Sequence, residues 1–207
     1  MPFTQRLIYW LGGSPCAGKS TVAQIIAARQ GWDIYACDAA YQRHVDAADP
    51  RSAPLLFTVG HLRDDALWLR PVAEQTATAI GMYCEEFAAI LADVATRPGT
   101  EPLLVEGAAL LPELVAPLLG THHRAAWLVP TPAFQRHHYA QRDWARALVA
   151  TCSDPPQAFA NWMARDIGFA AYVTRTAQTC QVPLHSVDGS APVSDSVAWV
   201  LAQWGIT

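Results

Sequence analysis

Gly12-Gly13-Ser14-Pro15-Cys16-Ala17-Gly18-Lys19-Ser20-Thr21 contains the spacing G-x-x-x-x-G-K-S, and its reading decides the fold. Gly13 and Gly18 permit a tight loop whose backbone N–H groups converge on an anion. Lys19 supplies a cation for terminal phosphates, and the Ser20 hydroxyl suits Mg²⁺. Before the loop, Leu7-Ile8-Tyr9-Trp10-Leu11 is a short apolar run rich in strand formers. After it, Val22, Ile25 and Ile26 recur at helical spacing among alanines. Strand, glycine loop and helix are the context a phosphate loop requires, with the helix from Ser20 to Gln30 setting its positive end beneath the anion. The residues expected to hold nucleotide phosphates are Gly13, Ser14, Pro15, Cys16, Ala17, Gly18, Lys19, Ser20 and Thr21.

Composition narrows the setting. A chain of 207 residues with 52% hydrophobic and 15% charged residues reads as one folded domain with a large core. Its formal charge of −4 offers no electrostatic case for nucleic acid as the main partner. The five cysteines are scattered, odd in number and without a C-x-x-C pair, which points to a reducing cytoplasm rather than a disulfide framework or zinc site. No run is apolar for long enough to span a membrane, and Gly12-Gly13 cut the N-terminal apolar stretch below signal-peptide length. Cys16 sits within the loop, where its oxidation would block nucleotide; the plainer reading is a small residue that fits.

Strands then alternate with helices. Trp32 to Cys37 reads as a second strand ending at Asp38, with a helix through Tyr41 to Ala47. Asp49 to Pro54 reads as a loop, and His61 to Arg97 is helical, with a new helix starting at Pro71. Pro102 to Glu106 is a third strand, Pro112 to Leu119 a short helix, and Ala125 to Val129 a fourth strand. A segment rich in arginine and histidine runs from Thr131 to about Arg165, and a long helix covers Pro156 to Cys180. Val182 to Val187 is a fifth strand, Asp188-Gly189-Ser190 a turn, and Val193 to Trp204 a closing helix. Such alternation predicts a parallel α/β sheet with helices on both faces, and ligands at the carboxyl ends of its strands.

That rim carries the candidate chemistry. Asp38 is placed to accept a proton from an attacking hydroxyl or to position it; the plainer alternative is a cap for the next helix. Glu106, ending an apolar strand, is placed to hold a water on Mg²⁺ or to act as base itself; the plainer alternative is a turn residue before Gly107. Arg136, Arg142 and Arg146 recur at spacings of six and four, so that Arg142 and Arg146 are expected on one helical face. With Arg165 they read as a cationic segment able to cover migrating phosphoryl oxygens, or as scattered surface charge. His122-His123 and His137-His138 lack the spacing of metal ligands. Trp68, Trp144 and Trp162 are candidates for lining an apolar pocket.

Phosphate loop, Asp38, Glu106-Gly107 and the arginines after the fourth strand together resemble small-molecule P-loop kinases of the nucleoside monophosphate kinase-like group. That group includes adenylate, shikimate and gluconate kinases and chloramphenicol phosphotransferase. The resemblance implies a P-loop NTPase fold, with five parallel strands in the order 2-3-1-4-5 and a helical lid. It places acceptor binding in about 39–97 and the lid in about 131–165. It implies that Asp188, Gly189 and Ser190 hold adenine through their backbone. The expected activity is ATP- and Mg²⁺-dependent phosphoryl transfer to a small molecule. Lys19, Asp38, Glu106 and the arginines 136, 142 and 146 would be catalytic, and Ser20 and Glu106 would be at the metal. The acceptor is open, since no D-x-D follows the second strand and Arg43, Arg51, Arg63 and Arg70 match no adenylate kinase pattern. A regulatory NTPase or a non-catalytic nucleotide-binding module is the alternative, although no N-K-x-D motif of a guanine switch is present.

Overall fold

A computed structural model describes residues 6–120 and 124–206; His122 and His123 lie outside the described residues. Its centre is a sheet of five parallel strands: β1 (Ile8–Gly13), β2 (Asp33–Ala36), β3 (Leu103–Glu106), β4 (Ala125–Pro130) and β5 (Leu184–Val187). Their spatial order is β2-β3-β1-β4-β5, that of the P-loop NTPase fold the resemblance implies. β1, β3 and β4 are buried at every position, whereas the edge strands β2 and β5 are partly exposed. Central parallel strands, covered on both faces, must be apolar throughout.

The two-residue period of a strand divides that apolar set between two cores. Ile8, Trp10, Leu103, Val105 and Trp127 face α5 (Val72–Thr96) and α9 (Pro155–Thr179), which contribute Phe87, Ile90, Phe169 and Val173. Tyr9, Leu11, Leu104, Ala126 and Leu128 face α1 (Lys19–Gln30) and α10 (Val193–Gln203), which contribute Val22, Ile26, Val197 and Val200.

Several boundaries differ from those read from sequence. β2 stops at Ala36, and α2 (Cys37–Ala47) begins there, so Asp38 stands in the first turn of a helix rather than at a strand end. Cys37 is seated against Gly107, where an added Cβ would come within 2.5 Å of the Cys37 Cβ. The stretch after the Asp49–Pro54 loop holds a helix the sequence reading left unassigned, α3 (Pro54–His61), with Pro54 at its N-terminal end. α4 (Asp64–Trp68) is a separate short helix, and Pro71 caps α5. α6 (Pro112–Val115) runs into a 3-10 turn at Ala116–Leu118. Between β4 and α9 lie α7 (Pro132–Ala140) and α8 (Asp143–Val149). No helix among the described residues is long and apolar enough to cross a membrane.

Candidate functional site

The phosphate loop is shaped by how closely β1 approaches β4. A Cβ at Gly13, whose φ is 132°, would lie 1.9 Å from the Leu128 carbonyl oxygen, and Ser14 N donates to that oxygen at 3.1 Å. Cys16 (φ 68°) and Gly18 (φ 78°) then take left-handed conformations that fold the loop over the start of α1. For a non-glycine residue such as Cys16 that conformation is costly. Gly18 is the N-cap of α1, and no side chain caps the helix. Free N–H groups at a helix start favour an anion.

Lys19 is buried and its Nζ donates to Ser14 O at 2.8 Å. Burial pulls the ammonium pKa down, opposed by Asp38, Glu106 and Asp166. Ser20 Oγ donates to Glu106 Oε2 at 3.4 Å. Glu106 sits beside Leu11 on one flank and Ala36 on the other, at the carboxyl rim. Burial pushes its carboxyl up, offset in part by Lys19. The Ser14 hydroxyl is buried with no partner among the described residues.

Two cavities open here. The first, about 330 Å³, is lined by Pro15, Cys16 and Gly18 to Thr21 of the loop together with Ala108, Tyr139, Arg142 and Trp144. The second, about 500 Å³, lies between α2, α3, α4, α5 and the far end of α8. Asp38 and Tyr83 line both. α8 spans the pair. Trp144, 53% exposed, faces the first cavity, and Leu148, one helical turn on and 46% exposed, faces the second.

The arginines separate. Arg142 precedes α8, lines the first cavity, and holds its guanidinium 5.3 Å from the Tyr139 ring and 5.7 Å from that of Trp144. Arg136 is exposed and lines neither cavity, because Gln135 and Tyr139 supply the buried face of α7 and leave Arg136 on the solvent side. Arg146 donates to Ala140 O and lines a different hollow with Pro155 and Phe159. It shares no helical face with Arg142, which stands outside α8 as its N-cap. Arg165, on α9, lines the second cavity and is held by Asp166.

The turn after β5 is an Asx turn: Asp188 Oδ1 accepts from Ser190 N at 2.9 Å and from Ser190 Oγ at 2.6 Å. Gly189, at φ 82°, packs on the Phe134 ring of α7, and the turn lines neither cavity. His137 is exposed beside Gln141, and His138 packs on Phe134. The Cys16 thiol is pushed up by burial, with Arg142 opposing. Trp68 lines the second cavity; Trp162 is buried between Trp68 and Trp144 at 5.0 and 5.9 Å.

Sequence reasoning passed over Tyr83, Glu86, Tyr139 and Asp166. For Glu86 a signal existed: it falls on the buried stripe of α5 with Ala79, Met82, Ile90 and Val94. A carboxylate at a core position of an amphipathic helix marks a site or a buried pair. Here it is both, since Glu86 Oε1 meets His44 Nδ1 at 2.9 Å and the residue borders the second cavity.

No family profile matches the chain, and no curated protein matches it in sequence. Among solved structures, a gluconokinase from Sinorhizobium meliloti 1021 is similar at 16% identity. The match covers 97% of this chain and 92% of that one, with a TM-score of 0.41.

Proposed function

We propose that this protein transfers the terminal phosphoryl group of ATP to a small-molecule acceptor. One observation carries the reading: a cavity built on the phosphate loop and a second, largely apolar cavity meet at Asp38 and Tyr83. A switch or a passive nucleotide-binding module needs no second chamber opening onto the terminal phosphate.

The loop N–H groups and the start of α1 bind the phosphates, and the Lys19 ammonium neutralises the migrating group. Ser20 and Glu106, a hydroxyl and a carboxylate 3.4 Å apart, fit a hard divalent cation. Ser20 and Glu106 would hold Mg²⁺, which when bound would supply charge neutralisation for the terminal phosphates. Asp38, at the seam, orients the acceptor and takes the proton of an acceptor hydroxyl as its oxygen bonds to phosphorus. The bond from phosphorus to the bridging oxygen breaks, and ADP leaves with that electron pair. Arg142, held between Tyr139 and Trp144, aims positive charge at the equatorial oxygens. The segment 131–165 acts as the lid, with α8 excluding water from both chambers.

ADP release across an acceptor panel tests this. Lys19→Ala lowers acceptor-dependent turnover by at least about 100-fold with the fold retained by circular dichroism. Undiminished turnover in that variant overturns the assignment.

A further inference from the structure

α5 presents Met82, Tyr83 and Glu86 to the second cavity, and Tyr83 alone of the three also lines the first. The Tyr83 ring is partly buried against the core beneath α5 and stands edge-on to Phe169, at 5.4 Å between centroids. Packing of that kind fixes a ring, and with it the place of its hydroxyl.

The tyrosines of the two cavities differ in what their hydroxyls bond. Tyr41, on the wall of the second, donates to Met82 Sδ at 3.2 Å. Tyr139, which lines the first, donates to Asp166 Oδ2 at 3.4 Å. Tyr83 makes no side-chain hydrogen bond with a described residue. A phenol held out of bulk water finds a partner, and at this place the partner has to come from the cavity.

The charges that act most on this phenol belong to the acceptor side. Arg165, Asp38 and Glu86 line the second cavity, and Asp166 is the partner of Arg165. Burial pushes the phenol pKa up against the opposing charge of Arg165, and Asp38, Asp166 and Glu86 add to the rise. Tyr83 is therefore a neutral O–H donor at ordinary pH. Asp38 lines the same two cavities, no described residue donates to its carboxylate, and its charge acts on the Lys19 ammonium. Where the cavities join, the chain thus offers one donor and one acceptor. An alcohol oxygen is the complement of that pair, with one proton to give and two lone pairs.

We infer that Tyr83 is a catalytic residue: its O–H donates to the acceptor oxygen whose proton passes to Asp38, leaving the other lone pair to face the terminal phosphorus. The phenol keeps its own proton throughout. As the acceptor oxygen bonds to phosphorus, the bond from phosphorus to the bridging oxygen breaks and ADP takes that electron pair. The contribution of Tyr83 is orientation of the attacking atom. The transfer step rests on the phosphotransferase reading, whereas contact between Tyr83 and a ligand hydroxyl does not.

Tyr83→Phe removes one oxygen and keeps the ring, so its melting temperature is expected to match that of the parent. Binding is read by calorimetry on the intact protein without nucleotide, with 1-phenyl-1,2-ethanediol as the probe. Its phenyl ring and hydroxyls suit a cavity of about 500 Å³ walled by Leu62, Leu67, Met82 and Trp68. Tyr83→Phe is expected to weaken the diol by about 5-fold or more and to leave ADP affinity unchanged. Equal affinity for the diol in both proteins overturns the inference, as does no saturation of the parent up to about 10 mM. So does a matching loss of ADP affinity, which would make Tyr83 a support of the phosphate loop. ADP release with Mg²⁺-ATP and a panel of hydroxyl compounds separates the two ideas. With the compound that the parent turns over fastest, Tyr83→Phe is expected to lower kcat by about 10-fold or more at unchanged KM for ATP. Release in the parent with kcat unchanged in Tyr83→Phe sinks the inference alone. No release from any compound, with the diol bound as expected, sinks the kinase reading alone.

Discussion

Gly13 is the residue at which the phosphate loop has least freedom. Its backbone lies against Leu128 O so closely that no side chain fits, and its φ of 132° is foreign to L-residues. Gly13→Ala is therefore expected to cost at least about 2 kcal/mol of stability, read as a lower denaturant midpoint at unchanged slope. Gly18 differs: a Cβ there meets nothing within 4 Å, and only its φ of 78° argues for glycine. Asp38 is the residue at which the two cavities join, and its exposed carboxylate bears no structural duty beyond the first turn of α2. Asp38→Asn should leave melting nearly unchanged while lowering kcat by about 100-fold or more in steady-state kinetics, as loss of a general base does. A loss confined to KM would make Asp38 a binding group only.

At the scale of elements, an ion network ties the edge strand and α2 to the long helix behind them. Asp93 on α5 accepts from Tyr35 OH on β2 at 2.6 Å, from Arg43 on α2 at 2.7 and 3.1 Å, and meets His44 Nε2 at 2.9 Å. His44 reaches on to Glu86. Hydrogen bonding from Arg43, supported by Tyr35 and His44, holds the Asp93 carboxyl well below the usual carboxylate range. A depressed folded-state pKa means that the stabilisation is complete above the unfolded value, near 4, and fades as pH falls below it. Asp93→Asn is expected to lose about 2 kcal/mol at pH 7 in denaturant titrations. The gap to the parent protein should close as the pH is lowered below about 4. A gap independent of pH would mean that packing, not charge, is lost. Elements also explain which arginines reach the site. On α7 and α8 the buried faces are given by Gln135 with Tyr139 and by Ala145 with Val149. Arg136 and Arg146 each follow a buried residue by one position, a turn of about 100° that faces them away. A spacing of four between Arg142 and Arg146 carries this meaning only if both lie inside one helix, and Arg142 does not.

For the whole molecule, the sheet holds the loop rigid while the cavities lie in helical segments above its rim. A ligand that binds only the folded protein adds stability by mass action. ATP with Mg²⁺ at about 100 times its dissociation constant should contribute about 2.7 kcal/mol, which for a domain of this size raises Tm by roughly 5–10 °C. Lys19→Ala should show little of that shift. An equal shift in both proteins would place nucleotide somewhere other than the loop.

The sequence by itself determined the phosphate loop, the alternation of strands and helices, and the rim on which chemistry would stand. Those properties are local: glycine positions, a period of two or near four, and a cation and a hydroxyl at set distances along one chain segment. Strand order agreed with the resemblance, and the apolar strands Leu103–Glu106 and Ala125–Pro130 lie inside the sheet as their composition requires. Only the tertiary structure decided that Tyr83 and Asp38 line both cavities, that Arg165 is paired with Asp166, and that Arg142 alone of the arginines 136, 142 and 146 lines the loop cavity. Each of these depends on the rotation of one helix against another. A few tens of degrees there exchange a cavity wall for solvent without changing the periodicity that a sequence displays.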